Sequence, residues 1–288
     1  MDFIVTLING ISLGGIYAMI ALGYTMVYGI AKMLNFAHGD IIMVGGYTVL
    51  VFLSINPILA IVAATVFCII LGIVIEKVAY RPLRTASPLA VLITAIGVSY
   101  LLQSLAQILF GSAAKYVIIA ELGNITIGKL AISKATLITL ASSVVIMVAL
   151  TLFVKYTRTG RAMVAVSEDK SAASLMGINI NFIITITFAI GSALAALAGI
   201  FSLLRVPSIT PTYGALPGIK AFTAAVIGGI GSIPGAMLGG ILLGVVECIC
   251  NSIPALAPYT TAVEFSILII ILLVKPTGIL GKKRREKV

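Results

Sequence analysis

Three charged residues lie inside long apolar stretches of this sequence, where a charge is costly and often serves a function: Lys220, Glu247 and Glu264. Lys220 precedes the glycine-rich segment 228–235, and Glu247 follows that segment at a comparable distance along the chain. In an antiparallel pair of helices these two side chains would lie at a similar depth. We therefore predict that Lys220 forms an ion pair with Glu247 or Glu264 and holds the helices together. The alternative is a role in the passage of a substrate.

Groups suited to catalysis are scarce. The only histidine, His38, stands at the boundary of an apolar segment, where a structural role is favoured over a gating role. The chain has no H-E-x-x-H metal-binding motif and no G-x-x-x-x-G-K-[ST] phosphate-binding loop. Its three cysteines lie in apolar segments, as small buried side chains do. The sequence therefore predicts no catalytic residue, no metal site and no cofactor bound by this chain.

The longest polar segment with helical spacing covers residues 155–181 and is called the polar island here. Its apolar residues recur at the spacing of short amphipathic helices, and Gly177 is placed to end the second of them. Helices this short are unstable alone, so we predict that the island docks on another protein, with adsorption on lipid as the alternative. The charged residues are Lys155, Arg158, Arg161, Glu168, Asp169 and Lys170, and the apolar ones are Met163, Val166, Ala172, Ala173 and Met176.

The elements that must position these groups have the composition of a membrane protein. Hydrophobic residues make up 60% of the chain and charged residues 10%, against about 25% charged residues in soluble domains. Several uncharged runs exceed the roughly 20 residues that a membrane-spanning helix needs. We predict an all-α, polytopic transmembrane helix bundle in a single domain (1–288), with about 8–9 spans including short broken helices. The predicted spans are about 3–31, 41–53, 58–75, 89–110, 136–154, 182–204, 218–227, 236–250 and 260–274.

Three connections are informative. The short spans 41–53 and 218–227 either cross the membrane or re-enter it, and segment 125–133 alternates like a β-hairpin. The glycine-rich segment 228–235 predicts a tight turn with close helix packing, and the alternative is a broken-helix element that lines a transport pathway. Segment 37–46 is weakly similar to this glycine-rich segment, which is weak evidence for an internal repeat. The residues of this turn are Gly228, Gly229, Gly231, Pro234 and Gly235.

The net charge of +10 is distributed unevenly between the two sets of connections. Fourteen of the nineteen Lys and Arg residues belong to the connections that include the polar island and the C-terminal tail 281–288. This asymmetry follows the positive-inside rule, so it predicts that the island and the tail are cytoplasmic. The charge therefore indicates topology and an anionic lipid surface for the basic tail, and it does not indicate a nucleic-acid partner.

The motif SAASLMG (171–177) resembles the EAA-x3-G coupling loop of ABC importer permeases, which inserts into a cleft on an ATPase subunit. Ser171 departs from that pattern, because the family has glutamate there. Together with GRAMVAVSEDKSAASLMGIN, the N-terminal string 9–47 and GGIGSIPGAMLGG, the motif makes nearly the whole chain similar to branched-chain amino acid permeases of the LivH type. Permeases for urea and short amides look alike. The resemblance assigns an ATPase-coupling role to Arg161, Glu168, Asp169, Ser171, Ala172, Ala173 and Gly177.

The resemblance also implies partners and a place in the cell. We expect a heterodimer with a second, related permease subunit, two cytoplasmic ATPase subunits that bind ATP and Mg²⁺, and an extracytoplasmic amino-acid-binding protein. The chain would lie in the inner membrane of a bacterial or archaeal cell and move leucine, isoleucine or valine by alternating access. The alternatives are a permease for urea or short amides and a secondary transporter that works alone. The latter usually buries acidic or histidine side chains near the midplane, and the first and the third to sixth predicted spans have none.

Overall fold

Apolar helices joined by short connections build this protein. The computed structural model describes residues 3–120, 122–127 and 130–281, so the basic residues 282–288 of the predicted tail lie outside the described residues. Within the described residues there are eleven α-helices: α1 (Phe3–Ala31), α2 (His38–Phe52), α3 (Pro57–Ile75), α4 (Pro88–Phe110), α5 (Lys134–Tyr156), α6 (Arg158–Glu168), α7 (Lys170–Leu175), α8 (Ile180–Arg205), α9 (Ala215–Gly228), α10 (Ile233–Ser252) and α11 (Thr260–Val274).

Seven stretches of the described chain are long and apolar enough to cross a membrane, and α2 and α9 are shorter apolar helices. This architecture confirms the predicted helical bundle. The predicted hairpin is also present, since β2 (Asn124–Ile127) pairs antiparallel with β3 (Leu130–Ser133). A second small sheet pairs β1 (Lys115–Tyr116) with β4 (Ser208–Ile209).

Local chemistry explains where many of these helices begin. Side chains of seven residues accept a hydrogen bond from a backbone N–H of the first helical turn, which satisfies a donor that the helix cannot pair itself. These residues are Asn56, Ser87, Ser133, Thr157, Asp169, Asn179 and Ser232. α9 and α10 begin three residues earlier than predicted, at Ala215 and Ile233, because Pro217 and Pro234 are tolerated within a first turn.

The bundle has two distinct ends. The polar island, the end of α1 and the start of α10 lie at one end, which we call the island end. The two small sheets and the start of α1 lie at the other end, called the hairpin end, where Thr136 Oγ1 donates to Asn9 Oδ1 at 3.0 Å. The long helices run between these two ends.

The short helices α2 and α9 both begin near the middle of the bundle. Gly23 of α1 lies eight residues, about 12 Å, before the end of its helix and contacts Gly191 in the central part of α8. His38, the first residue of α2, packs against the same Gly23. Gly39 in turn contacts Gly214, directly before α9. Each short helix therefore covers part of the membrane depth, and the non-helical segments 32–37 and 206–214 cover the remainder.

Helix α1 is the centre of the packing, with 20 of its 29 residues buried. It crosses α10 at such short range that a Cβ added to Gly14 would lie 2.6 Å from the Cα of Ile241. On the other side of the same contact, a Cβ on Gly240 would lie 2.5 Å from the Cα of Ala18. Small residues permit this approach, and helices packed in lipid gain most of their stability from such close contacts.

We expect Gly14→Val to destabilise the protein by about 1–3 kcal/mol, because the new side chain would push α1 away from the backbone of α10. The measurement is the thermal unfolding midpoint of the detergent-solubilised chain, monitored by size-exclusion chromatography. Gly97→Ala is the matched control, because a Cβ at Gly97 meets no atom within 4 Å. Equal midpoints for Gly14→Val and the wild type would contradict the packing argument.

Candidate functional site

The polar island folds into two short helices, α6 and α7, that turn back on the island end of the bundle. Met163 and Val166 of α6 are buried, and so is Ala173 of α7. These side chains pack against the bundle, since α6 contacts α1, α5 and α8. The other two residues of the predicted apolar face, Ala172 and Met176, are exposed. The apolar face predicted from the sequence is therefore divided between the bundle and the outside.

The start and end of α7 are capped within the island itself. Asp169 Oδ1 accepts a hydrogen bond from the backbone N–H of Ala172 at 3.0 Å. Gly177 adopts a φ of 78°, and the backbone N–H of Ile178 donates to the carbonyl of Ala173 at 3.1 Å, as in a Schellman motif. The structure thus confirms that Gly177 ends this helix. Arg161, Glu168 and Ser171 are exposed on the same island.

Lys170 ties the island to the most buried helix of the bundle. Its Nζ donates to the carbonyl oxygen of Ala31, the last residue of α1, at 3.1 Å. A cation is favoured at this position because the C-terminus of a helix carries partial negative charge. Burial and the nearby Arg84 lower the pKa of Lys170 below its ordinary value. The half-buried ammonium therefore connects α7 directly to α1.

A second polar contact links α8, which follows the island, to the end of α3. Arg84 donates hydrogen bonds to Glu76 and to Asn181, and Thr185 Oγ1 donates to Glu76 Oε2 at 2.8 Å. The Glu76 side chain is fully buried. Sequence reasoning missed this cluster, because it ended the third span at Ile75 and assigned Glu76 to a connection. The first turn of α8 is thereby fixed to α3.

In the described part of the chain, two large apolar side chains at the end of α7 are exposed. Leu175 is 89% exposed and Met176 is 82% exposed, although both belong to the polar island. They stand beside Ser171 and Ala172, which are also exposed. Exposed apolar groups within a polar surface are typical of a docking site.

The glycine-rich turn lies at the island end. Gly229 and Gly231 adopt φ angles of 108° and 95°, which only glycine takes without strain. A Cβ on Gly228 would lie 2.9 Å from the backbone nitrogen of Ala236, so α9 and α10 meet backbone to backbone. The C-terminal segment covers the turn, because Leu280 N donates to the carbonyl of Gly228 at 2.9 Å. Pro234 and Gly235 both lie in the first turn of α10.

The three charged residues predicted to interact form one buried cluster between α1, α9, α10 and α11. Lys220 Nζ lies 2.9 Å from Glu247 Oε2 and 3.2 Å from Glu264 Oε1. Tyr17 of α1 donates a hydrogen bond to Glu247 Oε2 at 2.7 Å. Both carboxylates thus contact one ammonium, where the sequence left the choice between them open. The cluster connects α9 to both following helices.

A cavity of about 310 Å³ lies beside the starts of the two short helices. Asp40, in the first turn of α2, lines it and is 1% exposed. Gln103 Nε2 donates to Asp40 Oδ1 at 2.8 Å, and Ser99 also donates to this carboxylate. Sequence reasoning missed Asp40, because it began the second span at Ile41. The signal was available, since an acidic residue is favoured in the first turn of a helix and Ser99 and Gln103 share one face of α4.

Comparison with known proteins gives one consistent result. The family model described as "Branched-chain amino acid transport system / permease component" matches residues 6–272. The chain is 45% identical over 298 residues to the high-affinity branched-chain amino acid transport system permease protein BraD of Pseudomonas aeruginosa, covering 98% of this chain and 97% of the relative. It is 42% identical over 302 residues to the corresponding protein LivH of Escherichia coli K12, covering 99% and 98%.

Among solved structures, the chain resembles "PsaBC from Streptococcus pneumoniae in complex with Fab", with a TM-score of 0.52 and 17% sequence identity. The match covers 96% of this chain and 93% of that one. At this identity the likeness shows a shared fold alone.

We expect Lys220→Glu to destabilise the protein by about 3–5 kcal/mol, because it leaves buried carboxylates without a counter-charge. Adding Glu264→Lys restores one cation and two carboxylates to the cluster, so the double variant should regain part of the loss. The thermal midpoint in detergent measures both effects, and Lys115→Glu, at an exposed lysine of the hairpin end, is the control. A double variant no more stable than Lys220→Glu would show that the ion cluster does not hold these helices.

Proposed function

Since the chain belongs to the family of branched-chain amino acid transport system permease components, we propose that it is the membrane subunit of an ATP-driven importer of leucine, isoleucine and valine. Both relatives, which match over nearly their full lengths, are branched-chain amino acid permeases, and this supports this substrate class over urea and short amides. The chain itself provides the route through the membrane. We assign the hydrolysis of ATP to two partner ATPase subunits, and we assign delivery of the substrate to an extracytoplasmic binding protein.

The observation that carries this proposal is the construction of the polar island. Its buried residues hold it on the bundle, while Leu175 and Met176, within the SAASLMG motif, remain exposed. Leu175 and Met176 are called the apolar tip here. A rigid attachment combined with this exposed tip suits a surface that receives force from another protein. We propose that the tip inserts into the ATPase subunit on the same side.

Charge supports the orientation in which the island end is cytoplasmic. Among the described residues, the connections at this end carry Lys32, Lys77, Arg81, Arg84, Lys155, Arg158, Arg161, Lys170 and Lys275, whereas the hairpin end carries Lys115, Lys134 and Arg205. This is the distribution that the positive-inside rule describes. With the island end inside, α1 begins on the outer side and the C-terminal segment ends on the inner side.

Alternating access supplies the mechanism. Closure of the ATPase dimer on ATP would displace α6 and α7, and two contacts would pass this displacement to the bundle. Lys170 connects the island to the end of α1, and the hydrogen bond from Thr185 to Glu76 connects the first turns of α8, which follows the island, to the end of α3. Because α1 and α8 pack on each other at Gly23 and Gly191, a shift of both changes the centre of the bundle. A related permease subunit would form the other wall of the route.

We expect the double variant Leu175→Asp/Met176→Asp to lose the ATPase subunits on affinity purification, because carboxylates would replace the apolar tip. ATP-driven leucine uptake should fall about tenfold or more, as for loss of a central interface residue. Ile118→Asp is the matched control, at an exposed apolar residue of a hairpin-end loop. Recovery of a complete complex from the double variant would contradict the proposed docking surface.

Substrate class is tested by competition in the reconstituted complex. Unlabelled valine and isoleucine should reduce the uptake of labelled leucine, and urea and acetamide should leave it unchanged, because only the amino acids share its charged and branched groups. Uptake that persists without ATPase subunits would instead favour a secondary transporter.

A further inference from the structure

We propose that the central cavity beside Asp40 binds the transported amino acid during translocation, with the Asp40 carboxylate accepting the α-ammonium group. This inference rests on the proposed function and adds to it a site within the membrane subunit. The cavity places a buried carboxylate within an otherwise largely apolar bundle.

Position is the first argument. The cavity lies where α2 and α9 begin, near the middle of the bundle, between α1, α4 and the two short helices. Broken helices that meet near the membrane centre commonly form the substrate sites of transporters, because their ends present polar groups there. A volume of about 310 Å³ is in the range of small-ligand sites, about 300–1,000 Å³.

Charge is the second argument. Asp40 is 1% exposed, and no described Lys or Arg lies within ion-pair distance of it. Ser99 and Gln103 orient the carboxylate without neutralising it. This contrasts with Glu247 and Glu264, which share Lys220. An ionised buried carboxylate is strongly stabilised by a cation, and an amino acid supplies one as its ammonium group.

The remaining walls suit the rest of a branched-chain amino acid. Apolar side chains line much of the cavity, and its glycines bring the backbone close to the enclosed space. The start of α9 carries partial positive charge, which favours the carboxylate of the same substrate. The apolar walls are formed by Phe36, Leu92, Ile96 and Ile219. Tyr100 on α4 is 65% exposed, so the cavity is open on a side that a second permease subunit would close.

Asp40→Asn and Asp40→Glu test the charge in the complete reconstituted complex with its binding protein. Asparagine retains the size of the side chain and removes its charge, so leucine uptake should fall about tenfold or more. Hydrolysis of ATP stimulated by the binding protein should persist, because the island is unchanged. Asp40→Glu, which retains the charge, should recover part of the uptake. Uptake by Asp40→Asn within about twofold of the wild type would overturn the proposal.

Cysteine labelling tests occupancy directly and does not depend on the Asp40 variants folding. Ile96→Cys is made in a chain whose three native cysteines are replaced by alanine, and the reaction of this cysteine with methyl methanethiosulfonate is timed in the complex without the binding protein. Leucine at about twice its dissociation constant should slow the reaction about threefold. The deaminated analogue 4-methylpentanoate should give no protection, whereas isoamylamine, which retains the ammonium group, should give some.

Phe67→Cys is the matched control, because Phe67 lines a separate apolar cavity and is half exposed. Equal protection at both positions, protection by 4-methylpentanoate equal to that by leucine, or no protection at all would overturn the site. Uptake of leucine by the wild-type complex tests the proposed function separately. A complex that takes up leucine yet shows no protection at Ile96→Cys refutes the site alone.

Discussion

Backbone polar groups inside a membrane must find partners within the protein, and this constraint governs the whole structure. The long helices meet it by their own hydrogen bonds, whereas the segments before α2 and α9 are not helical. Both of those segments are partly buried among other elements. Asn35, in the first, is 2% exposed, and its backbone carbonyl accepts a hydrogen bond from the backbone N–H of His38 at 3.1 Å. Pro207, in the second, accepts one from the backbone of Val117 at 3.1 Å, next to the β1–β4 pair.

Interior charges divide into two kinds, and the distinction suggests two different roles. Lys220 pairs with both Glu247 and Glu264, so this cluster stabilises the packing of α9 on α10 and α11. Asp40 has hydrogen-bond donors but no described cation. A bundle that is otherwise so apolar makes an unpaired carboxylate a strong site for a positively charged group, because little solvent screens it.

Under the proposed function, the attachment of the polar island would let a surface segment act on the membrane interior. The island is fixed by buried apolar residues, by the Lys170 contact with α1 and by the position of α8 against α3. Helix α1 reaches the central cavity through Tyr24, and α1 and α8 contact each other beside it at Gly23 and Gly191. Packed helices can shift as rigid elements, so a displacement of α7 would be passed to the centre of the bundle.

The sequence alone determined the helical bundle, most span boundaries, the hairpin, the cap at Gly177 and the candidate partners of Lys220, because all of these follow from local patterns of hydrophobicity, charge and turn residues. Tertiary structure decided which carboxylates meet that lysine, which face of the island is buried and how deep the short helices begin. Asp40 shows why. The prediction started α2 three residues too late and so assigned Asp40 to a polar connection, whereas the contacts of Gly39 with Gly214 and Gly218 place the start of α2 in the centre of the bundle. The depth of a residue in the membrane depends on how segments distant in sequence pack together. A local sequence pattern therefore does not predict it.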